Sequence, residues 1–132
     1  MTPFLLKDRF IVLDSQQNAA GIDVSPSLYE RLDREFEGFA QCALVAEYTF
    51  EGNWPTWERH PAGDEILVLL SGRMKLVLLE EGVERLVEFD TVGHAFIVPR
   101  GLWHTGRDCV AARVLFITPG EGTQNSVDPR NA

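Results

Sequence analysis

Between residues 41 and 118 the chain carries six short stretches of strand-like composition with no helical period between them. They are QCALVAEYTF (41 to 50), EILVLLS (65 to 71), RMKLVLLE (73 to 80), VERLVEF (83 to 89), HAFIV (94 to 98) and AARVLFIT (111 to 118). In the first, Cys42, Leu44, Ala46, Tyr48 and Phe50 share one face by period-2 alternation, while Gln41, Glu47 and Thr49 fall on the other. Ser71-Gly72, Glu81-Gly82, Val92-Gly93 and Pro99-Arg100-Gly101 read as turns between strands. Many short strands at this spacing specify an antiparallel sandwich or barrel.

One helix is expected ahead of this region. In SPSLYERLDREF, Ser25 or Ser27 can cap, Pro26 suits a first turn, and Leu28, Leu32 and Phe36 recur every four residues. At 132 residues the chain fits a single domain. We divide it into an N-terminal extension with a short helix packed on the barrel (1–38), the barrel (39–118) and a C-terminal tail (119–132). The turn-forming TPGEGTQNSVDPRNA reads as an extended or partly disordered tail.

Charge narrows the partners. Twenty acidic side chains stand against 12 basic ones, and the net charge of −8 repels both a phosphate backbone and an anionic membrane surface. Neither nucleic acid nor membrane is expected as a partner. MTPFLLKDRF lacks the apolar core of a secretory signal, and the apolar runs are too short to span a bilayer, so a cytoplasmic location is expected. Cys42 and Cys109 lack the spacing of a zinc or redox pair and are expected to be buried thiols.

The polar cluster in WERHPAGDE carries the chemistry. Glu58 and His60 share a strand face, with Trp57 and Arg59 on the other. The turn PAGD then reverses the chain and returns Glu65 beside His60 on a neighbouring strand, so three donors can converge from one hairpin. Two readings stand: three ligands for a metal ion, or ordinary polar residues at the mouth of a strand.

Spacing relates the chain to a known family. Gly52, five residues, Glu58, one residue, His60, four residues, Glu65, six residues and Gly72 resembles the first cupin motif, with glutamate at the first histidine position. Gly93, five residues, Pro99, one residue, Gly101, two residues and His104 resembles the second, with Asp108 where asparagine is usual. The resemblance covers roughly residues 40 to 118 and implies an all-β, double-stranded β-helix of jelly-roll, RmlC-like type, often dimeric, with an internal metal site. By matching positions the ligands are Glu58, His60, Glu65 and His104. Two imidazoles and two carboxylates form a competent set for iron, manganese, nickel or zinc. Ionised, the two carboxylates would neutralise a divalent ion and weaken its Lewis acidity relative to a three-histidine site. Without a metal they would repel, and one would tend to hold a proton.

Parity places Trp54 at the cavity mouth with Glu58, whereas Trp57 and Trp103 alternate outward. Tyr48, Phe50, Met74 and Leu76 are candidates for an apolar cavity wall, a pattern any barrel core also requires. His94 is not at a ligand position. No nucleophile-elbow, phosphate-loop or dinucleotide signature is present, which removes support for serine hydrolysis and nucleotide chemistry. The resemblance implies a metal-dependent enzyme of dioxygenase or isomerase type acting on a small organic molecule. The alternative is a non-enzymatic module that binds or senses a small ligand or metal.

Overall fold

The computed structural model describes residues 2–131. The chain is mostly β, with one helix, and its antiparallel strands curl into a half-barrel. In chain order the strands are β1 (Arg9–Leu13), β2 (Ala19–Asp23), β3 (Ala43–Gly52), β4 (Trp57–Arg59), β5 (Glu65–Glu80), β6 (Val83–Phe89), β7 (Ala95–Val98), β8 (His104–Thr118) and β9 (Gln124–Ser126). Helix α1 (Leu28–Glu35) lies between β2 and β3.

Two long strands organise the molecule. β5 and β8 run antiparallel from Ile66 opposite Ile117 to Leu78 opposite His104, with register shifts around Ser71 and Arg73. EILVLLS and RMKLVLLE, expected as two strands, are therefore one strand of 16 residues. Its inward parity switches across the shift: Glu65, Leu67 and Leu69 are buried before it, and Met74, Leu76 and Leu78 after it. An added residue at a bulge exchanges the faces of a strand and bends it. Gly72 has φ +72°, and a side chain there would overlap the carbonyl of Ala111, so the Ser71-Gly72 turn signal marks a corner within a strand. The partner strand bends at the same place, where Asp108 and Ala111 also take positive φ.

This corner splits each long strand between two walls. The Thr118 half of β8 pairs with β3, which pairs with β1, and β1 with β2. The His104 half pairs with β4, which pairs with β9. β7 flanks the first half of β5, and β6 the second.

The ends of the chain are more structured than their composition implied. The 1–38 extension contributes a β-hairpin as well as α1, because Phe10 and Val12 point inward beneath the helix and β1 extends the sheet through β3. Leu28 and Leu32 bury the inner face of α1, and Phe36 packs at its end. Ser27 occupies the N-cap without a side-chain capping bond, as Ser25 and Ser27 hydrogen-bond one another instead. The tail is also ordered. β9 pairs with β4, and Arg130 reaches Glu84, which Arg107 holds in a two-pronged bond of 2.7 and 2.9 Å. Cys42 and Cys109 are buried and free. No helix of the described residues is long and apolar enough to cross a membrane.

Candidate metal centre

Each donor arrives from a different part of the framework. Glu58 on β4 lies directly opposite His104 at the start of β8. His60 follows β4, and Glu65 opens β5. The expected hairpin is absent, because β4 pairs with β8 and β9 and Glu65 pairs with Val98 of β7. The donors thus meet across the interior, from facing walls.

Glu65 spans that gap. Its Oε2 accepts a hydrogen bond of 2.5 Å from Thr118, at one end of β8, while its Oε1 lies 3.0 Å from Nε2 of His104, at the other end. A straight strand would hold those two ends roughly 46 Å apart. Curling of the β5–β8 ribbon is therefore what assembles the site. Two turns clasp beside it: Gly101 donates its amide to the carbonyl of His60 at 3.0 Å, and Arg100 donates its amide to Asp64 at 2.8 Å. The PAGD and PRG turns, one from each motif, thereby fix His60 and His104 to each other.

The four ligand atoms lie within 4.8 Å of one another. His60 Nε2 is 3.1 Å from Glu65 and 3.7 Å from Glu58, and His104 Nε2 is 3.6 Å from Glu58. His60, Glu65 and His104 are buried, while Glu58 borders the cavity with its side chain 27% exposed.

Hydrogen bonding settles how the imidazoles face. The Thr123 hydroxyl spends its proton on the carbonyl of Gly120 at 2.9 Å, so at 2.8 Å from His60 Nδ1 it accepts. His104 Nδ1 donates to the carbonyl of Leu102 at 3.0 Å. Both rings therefore carry Nδ1–H outward and turn Nε2 toward the carboxylates, the orientation in which an imidazole ligates a metal while its other nitrogen is anchored. His60 Nε2 is buried without a hydrogen-bond partner of acceptable geometry. A buried polar atom left in that state is costly unless another group satisfies it, and a cation among the four donors does so. The donor set fits a divalent metal.

Electrostatics describes the same cluster without the ion. Burial alone would raise Glu58, but the facing rings of His104 and His60 overcome it and hold the carboxyl at about 2. Burial also works against the histidines, yet Glu58 and Glu65 raise His60 to about 9 and His104 to about 10. Glu65 is lowered by the two imidazoles against the opposing effect of burial. The protons sit on the histidines, not on a carboxylate as expected, because each glutamate faces both rings. Carboxylate repulsion is thereby offset.

Glu58, His60 and Glu65 lie on the wall of a cavity of about 790 Å³, with His104 sealed behind them. Tyr48, Phe50 and Trp54 line it, as do Tyr29 and Leu32 of α1. Met74, expected on this wall, is instead sealed in the core, because the Trp54 indole covers Gly106 and packs over it. Leu76 is likewise in the core. Trp57, expected to alternate outward, is buried beneath Arg107 and Arg130, which lie 5.7 and 5.6 Å from its ring, and Trp103 is half-buried with Arg59 4.7 Å from its ring. His94 is exposed and is not among the clustered donors. Two anchoring residues escaped the sequence reading. Thr118 has the inward parity of Ala112, Val114 and Phe116 and was readable on that ground, but nothing in GTQNS marked Thr123.

No protein-family model matches the chain, and no curated protein matches it in sequence. Similarity appears among solved structures. An oxalate decarboxylase of Bacillus subtilis aligns with TM-score 0.50 and 19% identity over 64% of this chain and 23% of that one. A cupin-2 domain protein of Shewanella frigidimarina aligns with TM-score 0.47 and 17% identity over 58% of this chain and 70% of that one. A recombinant oxalate oxidase in complex with glycolate aligns with TM-score 0.48 and 18% identity over 63% and 44%. The chain thus spans about a quarter of the decarboxylase. Strand order, the curl of β5 against β8 and the decarboxylase alignment agree that this chain folds as a cupin barrel.

Proposed function

We propose that the protein binds a divalent metal ion through Glu58, His60, Glu65 and His104 and is a metal-dependent enzyme on a small organic molecule, of dioxygenase or isomerase type. The observation that carries this reading is the pair of anchored imidazoles whose Nε2 atoms converge with two carboxylates within 4.8 Å. A bound ion would supply Lewis acidity toward an oxygen-bearing substrate, and with iron or manganese, redox chemistry as well. Oxalate decarboxylase, described with Mn(II) centres, has a similar fold, which supports manganese as the first metal to test.

This chain's own residues provide the rest. Thr123 and the Leu102 carbonyl hold the histidines in one tautomer, and Thr118 fixes Glu65. Tyr48, Phe50 and Trp54 present an apolar, aromatic wall to one side of the site. A structural metal site is closed by its ligands, whereas a catalytic one keeps an open side. Here Glu58, His60 and Glu65 border a cavity large enough for a ligand, which favours the enzyme over a closed structural or sensing site. Elemental analysis of protein purified after growth with iron, manganese, nickel and zinc tests the claim. About one equivalent of one ion is expected, and protein that carries none and takes none up abolishes the reading.

A further inference from the structure

The walls of the cavity narrow what can enter. Among the described residues that line it, none is lysine or arginine. The ionisable ones outside the donor set are Asp33 and the two tyrosines, Tyr29 and Tyr48. A divalent ion held by two carboxylates and two neutral imidazoles leaves no net charge at the donor end. The other polar side chains on the wall, Thr56, Thr118, Thr123 and Asn125, are neutral, so no cation offsets the charge of an anionic substrate on entry, a large cost for an unpaired charge.

Aromatic rings form one continuous face of the cavity. The Trp54 ring centroid stands 6.4 Å from that of His104 and 4.9 Å from that of Phe50, and Phe50 stands 6.1 Å from Tyr48. Phe116 packs against all three, at 5.9 to 6.0 Å. At the far end the Tyr48 hydroxyl is hydrogen-bonded to that of Tyr29 on α1. The space thus has a neutral polar pole at the donors, a second pole at the tyrosine pair, and an aromatic slab between them.

We infer that the cavity selects a neutral, ring-bearing molecule that presents a hydroxyl or carbonyl oxygen to the donor set, and rejects small carboxylate anions. The inference rests on the metal-site reading above for what the oxygen meets, and on the aromatic, cation-free wall for the selection against charge. Oxalate and glycolate, the acids named with two of the similar folds, are anions of the rejected class.

A matched pair of probes tests it. 2-Naphthol and 2-naphthoate have the same rings and differ in charge at neutral pH. Manganese-loaded protein is titrated with each while tryptophan fluorescence is followed, and metal content is measured on the same sample. Naphthol is expected to bind at least about tenfold tighter than naphthoate. Its quenching should persist in Trp103→Phe and be lost in Trp54→Phe, in which calorimetry should still detect binding. Equal or tighter binding of naphthoate, or no binding of either probe, overturns the inference while retained manganese keeps the metal reading. If manganese is not retained, the metal reading falls alone, and the same titration still decides the selectivity of the wall.

Discussion

Thr123 shows how much a single hydroxyl can determine. By donating to Gly120 it is left only able to accept from His60, which fixes the tautomer and turns Nε2 inward. Thr123→Val removes that acceptor while keeping the shape. Metal affinity is expected to fall about 10- to 100-fold, the range typical for loss of a partner that orients a ligand, and competition with a chromophoric chelator measures it. Acidity makes a second test. Each histidine must lose its Nε2 proton before it can ligate, and the carboxylates hold those protons up to about pH 9 and 10. The apparent metal affinity should therefore rise with pH, by up to about a hundredfold per unit between pH 6 and 8 where two protons are released; a flat profile contradicts the two-histidine site. In the metal-free protein the sign for stability is opposite. Raised histidines stabilise fully below their usual 6.5 and lose that contribution as pH climbs through 9 and 10, whereas Glu58, lowered from 4.5 to about 2, contributes above 4.5 and loses its effect as pH falls toward 2. From these groups the apo-protein is most stable between about pH 4.5 and 6.5, and urea titration across pH reads the plateau.

At the scale of elements, the corner in β5 and β8 matters more than any single strand. Gly72 allows it by two means, a positive φ and the space beneath the Ala111 carbonyl. Gly72→Ala should destabilise by roughly 2 to 4 kcal/mol, from backbone strain together with overpacking, measured by chemical denaturation; a change within the noise would mean that the corner has other support. This element also shows where sequence reasoning stopped. Ser71-Gly72 has the composition of a turn, and a bent strand uses the same residues for the same positive φ, so local chemistry does not separate the two. The switch of inward parity from Leu69 to Met74 does carry the difference. β2 and β9 were missed for another reason. AAGID and QNS have weak strand propensity, and they form because β1 and β4 offer open edges. The donors themselves were legible, since Glu58, His60, Glu65 and His104 converge as their spacing implied, although from facing walls instead of one hairpin.

For the whole molecule, closure and metal binding are one property. Glu65 joins both ends of β8, so whatever binds among the four donors also holds the two walls together. A ligand that binds only the folded state adds stability in proportion to the logarithm of its concentration. Association is a separate matter of the outer face. Ile66 and Ile97, opposite one another on β5 and β7, are 36% and 60% exposed, and we propose that this face pairs two copies of the chain in a homodimer. Sedimentation equilibrium should give a dimer for the native chain and a monomer for Ile97→Lys, and a native monomer removes the proposal.

The central claim is that four side chains of this barrel share one divalent ion. Crystals of manganese-loaded protein, measured near the manganese absorption edge, test it most directly. The account predicts one anomalous peak between Nε2 of His60, Nε2 of His104, Glu58 and Glu65, at roughly 2.0 to 2.3 Å from the donor atoms. Absence of that peak, with the histidines still paired to the glutamates in the loaded crystal, would contradict it.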